Sequence, residues 1–262
     1  MAIGDILDGA IKLLRANART MILIVAAIVV PFDFVIAYLE RNINGGQGFL
    51  QIMRDPTAAS SQNSPSSTFA VAALTFVALW VFLPLVCAAA SRVVMASYLG
   101  GEMKAKKALG AAFRHAPALL LATLMVHLAE VLSLVGLVVG VFFVMPLFMM
   151  TVPAISLEDL GPFAGMARSV RLARRRYWPT VGVALLSGVL AYILNEALGL
   201  VPGIIALIIG FRWGWLIVAG ATVVQQIVTI SLISIVATIV YLDARIRQEG
   251  FDLQVMASRL DS

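Results

Sequence analysis

Apolar residues fall along this chain in long blocks separated by short polar ones, and block length is what first separates the possible folds. A helix needs about 20 apolar residues to cross a hydrocarbon layer roughly 30 Å thick. Residues 20–39 and 69–91 each form one such block. From 117 to 155 the chain stays apolar for 39 residues, too long for one crossing and suited to two, with a turn expected near 133–136. Residues 180–198 form a fifth block and 214–242 a sixth, overlong and therefore expected to tilt or project. Between them, 203–211 is apolar but too short to cross, and reads as an interfacial or re-entrant piece. The pattern predicts an all-α integral membrane protein with six transmembrane helices. Pro84, Pro146 and Pro153 predict kinks, and Gly136 with Gly140 a pair of small residues that permits close helix approach.

The polar blocks have a period of their own. In IGDILDGAIKLLRANART, Asp5, Asp8, Lys12, Arg15 and Arg19 step by three and four, while Ile3, Ile6, Leu7, Ala10, Ile11 and Leu14 take the opposite face. Five arginines fall within nine positions of ARSVRLARRRYWPT. There Phe163, Met166, Val170, Ala173 and Tyr177 predict an apolar stripe opposite Arg168, Arg171 and Arg175, and Gly161-Pro162 predicts the helix start. A shorter version, EMKAKKALGAAFRH, precedes the third block. Each amphipathic helix leads into two spans, so the chain reads as three diverged copies of one unit: 1–98, with an external loop at 40–68, then 99–156 and 157–242, followed by a tail at 243–262. Asp243 and Arg247, four apart, predict that the last span continues as a helix to a cap at Gly250.

Composition agrees with this division. The chain is 61% hydrophobic and 13% charged, with a mean hydropathy of +0.98. Its net charge of +5 is broken into clusters between apolar runs, the distribution of a membrane protein with basic cytoplasmic loops rather than of a nucleic-acid binder. With the N-terminus cytoplasmic, 16 of the 19 lysines and arginines fall inside and only Arg41, Arg54 and Arg212 outside. Both termini are therefore expected in the cytoplasm, the chain crossing the membrane several times. The polar loop at 40–68 is expected to be mobile. Trp213 and Trp215 beside Arg212 read as anchors at the outer interface. Cys87, the single cysteine, excludes a disulfide framework, and Asp5 and Asp8 ahead of the first apolar run argue against a cleaved signal peptide.

Two readings of the basic helices are open. They hold anionic phospholipid headgroups, through Lys12, Arg15, Arg19, Lys104, Lys106, Lys107, Arg114, Arg168, Arg171, Arg174, Arg175 and Arg176, each attracted by about 1 kcal/mol. Or they express the general bias of cytoplasmic loops towards positive charge, which explains the sign but not the amphipathic spacing.

Within the blocks lie Asp33, His127, Glu130, Asn195, Glu196, Gln225 and Gln226. A charge at the bilayer centre costs about 2.5–3.5 kcal/mol on insertion scales, so each needs a reason. Asp33, Glu130 and Glu196 follow the last basic residue of their helix by 14 to 20 positions, which places them in the outer half. They either ring an external cavity or satisfy themselves singly; His127 and Glu130, three apart, share a face and can pair. Two histidines in the whole chain cannot build a usual zinc site, and no nucleotide loop or hydrolase motif is present, so no metal or cofactor is expected. Ser133, near Glu130, is expected to bond its own backbone.

The segments GDILDGAIKLLRANART, VPAISLEDLGPFAGMARSVRLARRRYWPTVGV and YLDARIRQEGFDLQV together resemble a family of uncharacterised bacterial, largely actinobacterial, membrane proteins similar to the membrane domain of glycerophosphoryl diester phosphodiesterase. The resemblance spans the chain. It implies a helical bundle in the cytoplasmic membrane that associates with other envelope proteins, and it assigns no catalytic residue. In fused relatives the phosphodiesterase chemistry belongs to a separate barrel, which these 262 residues are not expected to contain. The expected function is that of a non-enzymatic subunit or scaffold in contact with lipid. A small transporter or lipid-handling protein is the alternative, and an intramembrane enzyme using His127 and Glu130 lacks a nucleophile.

Overall fold

The computed structural model describes residues 3–41, 53, 65–133 and 139–253. Regular structure among them is helical throughout, with no strand. In chain order come α1 (Ile3–Ala16), α2 (Ala18–Glu40), α3 (Pro65–Val77), a π-helical stretch (Ala78–Phe82) and α4 (Leu83–Tyr98). Then follow α5 (Ala105–Arg114), α6 (Ala116–Ser133), α7 (Val139–Phe148) and α8 (Thr151–Glu158). The last are α9 (Pro162–Arg174), α10 (Tyr177–Ile209) and α11 (Phe211–Glu249).

Among the described residues, five stretches are long and apolar enough to cross a membrane: Ala18–Glu40, Phe69–Tyr98, Ala116–Ser133, Tyr177–Ile209 and Arg212–Glu249. Two of the expected blocks behave differently from their hydropathy. The fourth expected crossing is divided into α7 and α8, each too short to span alone, with Met150 at φ −92° and ψ 2° between them. Pro146 and Pro153 each remove one helical N–H donor on either side of that break. Residues 203–209 are not a separate piece. They form the last turns of α10, which runs unbroken over Pro202 until Gly210, at φ +86°, stops it and α11 starts at the next residue. Most of the loop expected at 40–68 and of the turn expected near 133–136, Gly136 included, lies outside the described residues.

Three times a short basic helix stops for one or two residues and a long apolar one begins: α1 at Asn17, α5 at His115, α9 at Arg175 and Arg176. At each joint a polar side chain reaches the end of a later helix. Asn17 donates to Ser97 Oγ on α4 over 3.3 Å, His115 Nε2 lies 2.9 Å from Asp159 Oδ1 just past α8, and Arg176 Nη1 lies 2.8 Å from Asp243 Oδ2 on α11. A helix end left in an apolar setting needs such partners, and these pin where each long helix starts.

The chain forms two compact units, Met1–Ile24 with Pro84–Val189 and Ser231–Ser262, and Val25–Leu83 with Leu190–Ile230. In the first, α11 is buried around its whole circumference from Ser234 to Ala244, through Ile235, Val236 and Tyr241. Ser234, Thr238 and Ser91 are buried with it; the Thr238 hydroxyl lies 2.7 Å from Ser234 O and 2.9 Å from Ser91 Oγ, and the Ser91 hydroxyl donates 2.8 Å to Cys87 O. Helix α1 turns Ile6 and Ala10 inward and leaves Asp5, Asp8, Lys12 and Arg15 exposed, as its spacing predicts.

Helix α9 starts at Pro162 behind Gly161, as expected, but buries a different face. Gly165, Ser169, Leu172 and Ala173 are buried, whereas Phe163 is 66% exposed. The cause is close approach. Ser169 Oγ donates to Leu147 O over 2.7 Å and accepts from Met150 N–H over 3.2 Å, and a Cβ on Gly165 would overlap Ile155. Small residues, rather than the large apolar ones, therefore choose the packed side.

Candidate functional site

Several charged side chains that pattern alone leaves unpartnered have partners in the first unit. Arg168 sits between two carboxylates: its Nε is 3.1 Å from both Glu158 oxygens, and its Nη2 is 2.8 Å from Glu158 Oε1 and 2.6 Å from Glu249 Oε2. Its Nη1 also bonds Glu249. Arg245 stands 3.4 Å from Glu158 and 3.3 Å from Glu249, its guanidinium carbon 4.1 Å from the centre of the Phe251 ring. The buried Tyr241 hydroxyl donates to Glu158. Two arginines meet two glutamates, so the cluster is neutral and ties α8, α9 and α11 together. Hydrogen bonding to Glu249, then to Glu158, holds the Arg168 guanidinium above its ordinary range against the opposing effect of burial.

A second group joins Arg92 on α4 to Asp159 over 2.7 Å and to Ser156 Oγ over 3.3 Å; Ser156 in turn donates 2.9 Å to Ala88 O. Asp159 occupies the left-handed region, φ +53°, where it ends α8. In the third group Asp243 accepts from Arg176 at 2.8 Å and from Arg247 at 2.9 Å.

Of the twelve cations expected at headgroups, Arg168 and Arg176 are thus drawn into ion pairs. The other ten, Lys12, Arg15, Arg19, Lys104, Lys106, Lys107, Arg114, Arg171, Arg174 and Arg175, are exposed. Lys12 pairs with Asp8 over 2.7 Å, which raises its pKa.

In the second unit, the polar residues bond one another. Gln226 Nε2 lies 2.9 Å from both oxygens of the buried Asp33, and Gln225 Nε2 donates 2.7 Å to Asn195 O. Gly199 makes the latter possible, since a Cβ there would overlap the Gln225 amide. Tyr38 meets Trp215 edge-on at 5.6 Å, and the Arg41 guanidinium stacks 3.6 Å from the Tyr38 ring. Glu196 is exposed on α10 and has no partner among the described residues. In the first unit His127 Nδ1 is 2.7 Å from Glu130 Oε2, within α6, and Ser133 donates 2.6 Å to Glu130 O, the back-bonding its position predicts.

Gln226→Leu is expected to destabilise the protein by about 1–2 kcal/mol, because the buried Asp33 loses the amide that faces both its oxygens. Thermal unfolding in detergent would show it, and Asp33→Leu in the same chain should recover most of the loss. An unchanged midpoint in the single variant would contradict the assignment.

The partners that sequence reading missed are Glu158, Asp159 and Glu249, and Asp243 as the partner of Arg176. Their signal was present: each is an acid at the end of an apolar run, close in sequence or space to the arginine blocks. Among the described residues no three histidine, cysteine or carboxylate side chains gather as a metal site would need. The arrangement can hold charge in place and bind anions at its exposed cations. By length and composition of its helices the chain belongs to the membrane proteins. Comparison with protein-family models, curated proteins and solved structures gives no match for this chain.

Proposed function

We propose that the protein is a non-enzymatic, multi-pass component of a bacterial cytoplasmic membrane that grips the inner leaflet with basic amphipathic helices and serves as a subunit or scaffold of an envelope assembly. The sorting of charge carries this reading. Of the 17 described lysines and arginines, 15 belong to the first unit and only Arg41 and Arg212 to the second. Short loops of membrane proteins carry that asymmetry on their cytoplasmic side. The ten exposed cations then face anionic phospholipid, while the three polar joints support three copies of one helix-plus-hairpin unit, the second copy returning through the broken pair α7 and α8. The resemblance to the phosphodiesterase membrane domain points the same way. Membership of an assembly is supported by Glu196, a carboxylate exposed on α10 beside exposed Tyr192 and Ile193, which a polar group of a partner helix could bond and lipid could not.

Cysteine labelling tests the topology. In a Cys87→Ala background, Lys104→Cys and Arg174→Cys should react with a membrane-impermeant maleimide only after cells are opened, and Arg41→Cys in intact cells. Labelling of Lys104→Cys from outside would overturn the reading. Co-purification tests the rest: anionic lipid or a defined membrane partner should stay with the chain through mild solubilisation.

A further inference from the structure

We infer that Arg176 and Arg247, with the apolar crevice beside them, form a site for the phosphate of an anionic phospholipid. This rests on the inner-leaflet reading above and narrows it to one place. The argument begins with charge. Around Arg168 two arginines face two glutamates. At Asp243 a single, nearly buried carboxylate serves both Arg176 and Arg247, at 2.8 and 2.9 Å, which leaves one positive charge over. Each guanidinium has five N–H donors and gives one to Asp243, so both keep donors for a second oxyanion. The side chains of Arg176 and Arg247 are 31% and 46% exposed, so those donors are reachable. One surplus positive charge held on a rigid carboxylate suits a phosphodiester monoanion.

The surroundings distinguish a lipid from a free ion. Arg176 and Asp243 line a cavity of about 30 Å³ whose other walls are Ile6, Leu172, Pro179, Thr180, Val183, Val240 and Ala244. Apart from Arg176, Asp243 and the Thr180 hydroxyl, which donates to Arg176 O over 3.0 Å, those walls are apolar. Arg176 is the residue before α10, and Pro179 and Val183 lie in its first two turns. The change from cation to hydrocarbon-like wall therefore falls within two turns of a membrane-length helix, as it does from headgroup to acyl chain.

Trp178, 70% exposed and adjacent to Pro179 of the cavity wall, supplies the probe. The full chain, with Trp80, Trp213 and Trp215 changed to Phe, is reconstituted in phosphatidylcholine vesicles containing brominated phosphatidylglycerol or brominated phosphatidylcholine. The anionic quencher is expected to act about fivefold more effectively per mole, the ratio that ~1 kcal/mol for one neutralised charge implies. Arg247→Gln, at a half-exposed position that leaves the Arg176–Asp243 pair in place, should bring the ratio close to one, and so should Ala244→Phe, which fills the crevice. The triple change of Arg171, Arg174 and Arg175 to Gln should leave most of the preference. No preference in the starting protein would sink both this site and the broader inner-leaflet reading. A preference that survives Arg247→Gln but disappears in the triple variant would sink the site alone. Displacement of the lipid by millimolar inorganic phosphate would identify a soluble anion as the ligand and overturn the lipid assignment.

Discussion

Arg168→Leu is expected to destabilise the first unit by about 3–5 kcal/mol, the usual cost of removing one member of a buried ion pair. The reason lies in what is left behind. Glu158 and Glu249 have side chains only 19% and 27% exposed, and the substitution takes away five of the N–H contacts that neutralise them. Arg245 remains, at 3.3–3.4 Å, and cannot balance two carboxylates. Lysine at 168 should recover only part of the loss, because an ammonium cannot present the planar fork that reaches both acids. Arg168→Leu together with Glu158→Gln and Glu249→Gln should be closer to the parent than Arg168→Leu alone, since no unpaired charge then remains. Thermal unfolding followed by size-exclusion chromatography reads all three; equal midpoints for the parent and the single variant would remove the cluster from any structural role. The sign of the pH dependence also follows. A guanidinium held above its ordinary range gives stability that is complete below the unfolded pKa and is lost only as pH rises through the folded value. Arg168 thus stays charged at every pH the protein survives, and acid weakens the cluster through Glu249, whose carboxyl the hydrogen bond from Arg168 holds below its ordinary range, so that its contribution is lost as pH falls.

Gly165→Leu should have the next largest effect, about 3 kcal/mol of destabilisation, at the upper end of what overpacking costs. Even the first carbon of a new side chain would overlap Cγ1 and Cδ1 of Ile155, which is fully buried. Helix α9 would have to lift from α8, and the bonds of Ser169 to Leu147 O and Met150 N–H would stretch with it. Gly165→Ala is the milder test: helix propensity favours alanine by about 0.5–1 kcal/mol, so a net loss would show that the overlap outweighs it. Ile155→Ala in the Gly165→Leu chain should restore part of the stability by opening the space. A Gly165→Ala protein more stable than the parent would mean that the helices are not in contact here.

What could be read directly from the residues is what depends on neighbours three or four positions away. The start of α9 at Pro162, the end of α11 before Gly250, the Asp243–Arg247 and His127–Glu130 pairs and the bond from Ser133 to its own helix all follow from helix geometry alone. The existence of apolar crossings follows from length. Other features were out of reach for a specific reason. In water, hydrophobicity tells an inward face from an outward one; in a bilayer lipid is as apolar as a protein core, and that distinction disappears. The stripe of large residues on α9 therefore misled, and Gly165 and Ser169 chose the face by allowing contact.

The composition of the chain by itself determined that it is helical and of a membrane, and its charge spacing determined that short basic helices precede long apolar ones. Only the tertiary structure decided that Arg168 belongs to Glu158 and Glu249, that Arg176 and Arg247 share one aspartate, that Asp33 faces Gln226 across 193 positions, and that the fourth apolar block breaks in two. Such partners are set by where whole helices pack, and helix packing in an apolar solvent depends on shape and on the few polar atoms that must find one another, neither of which leaves a period in the sequence.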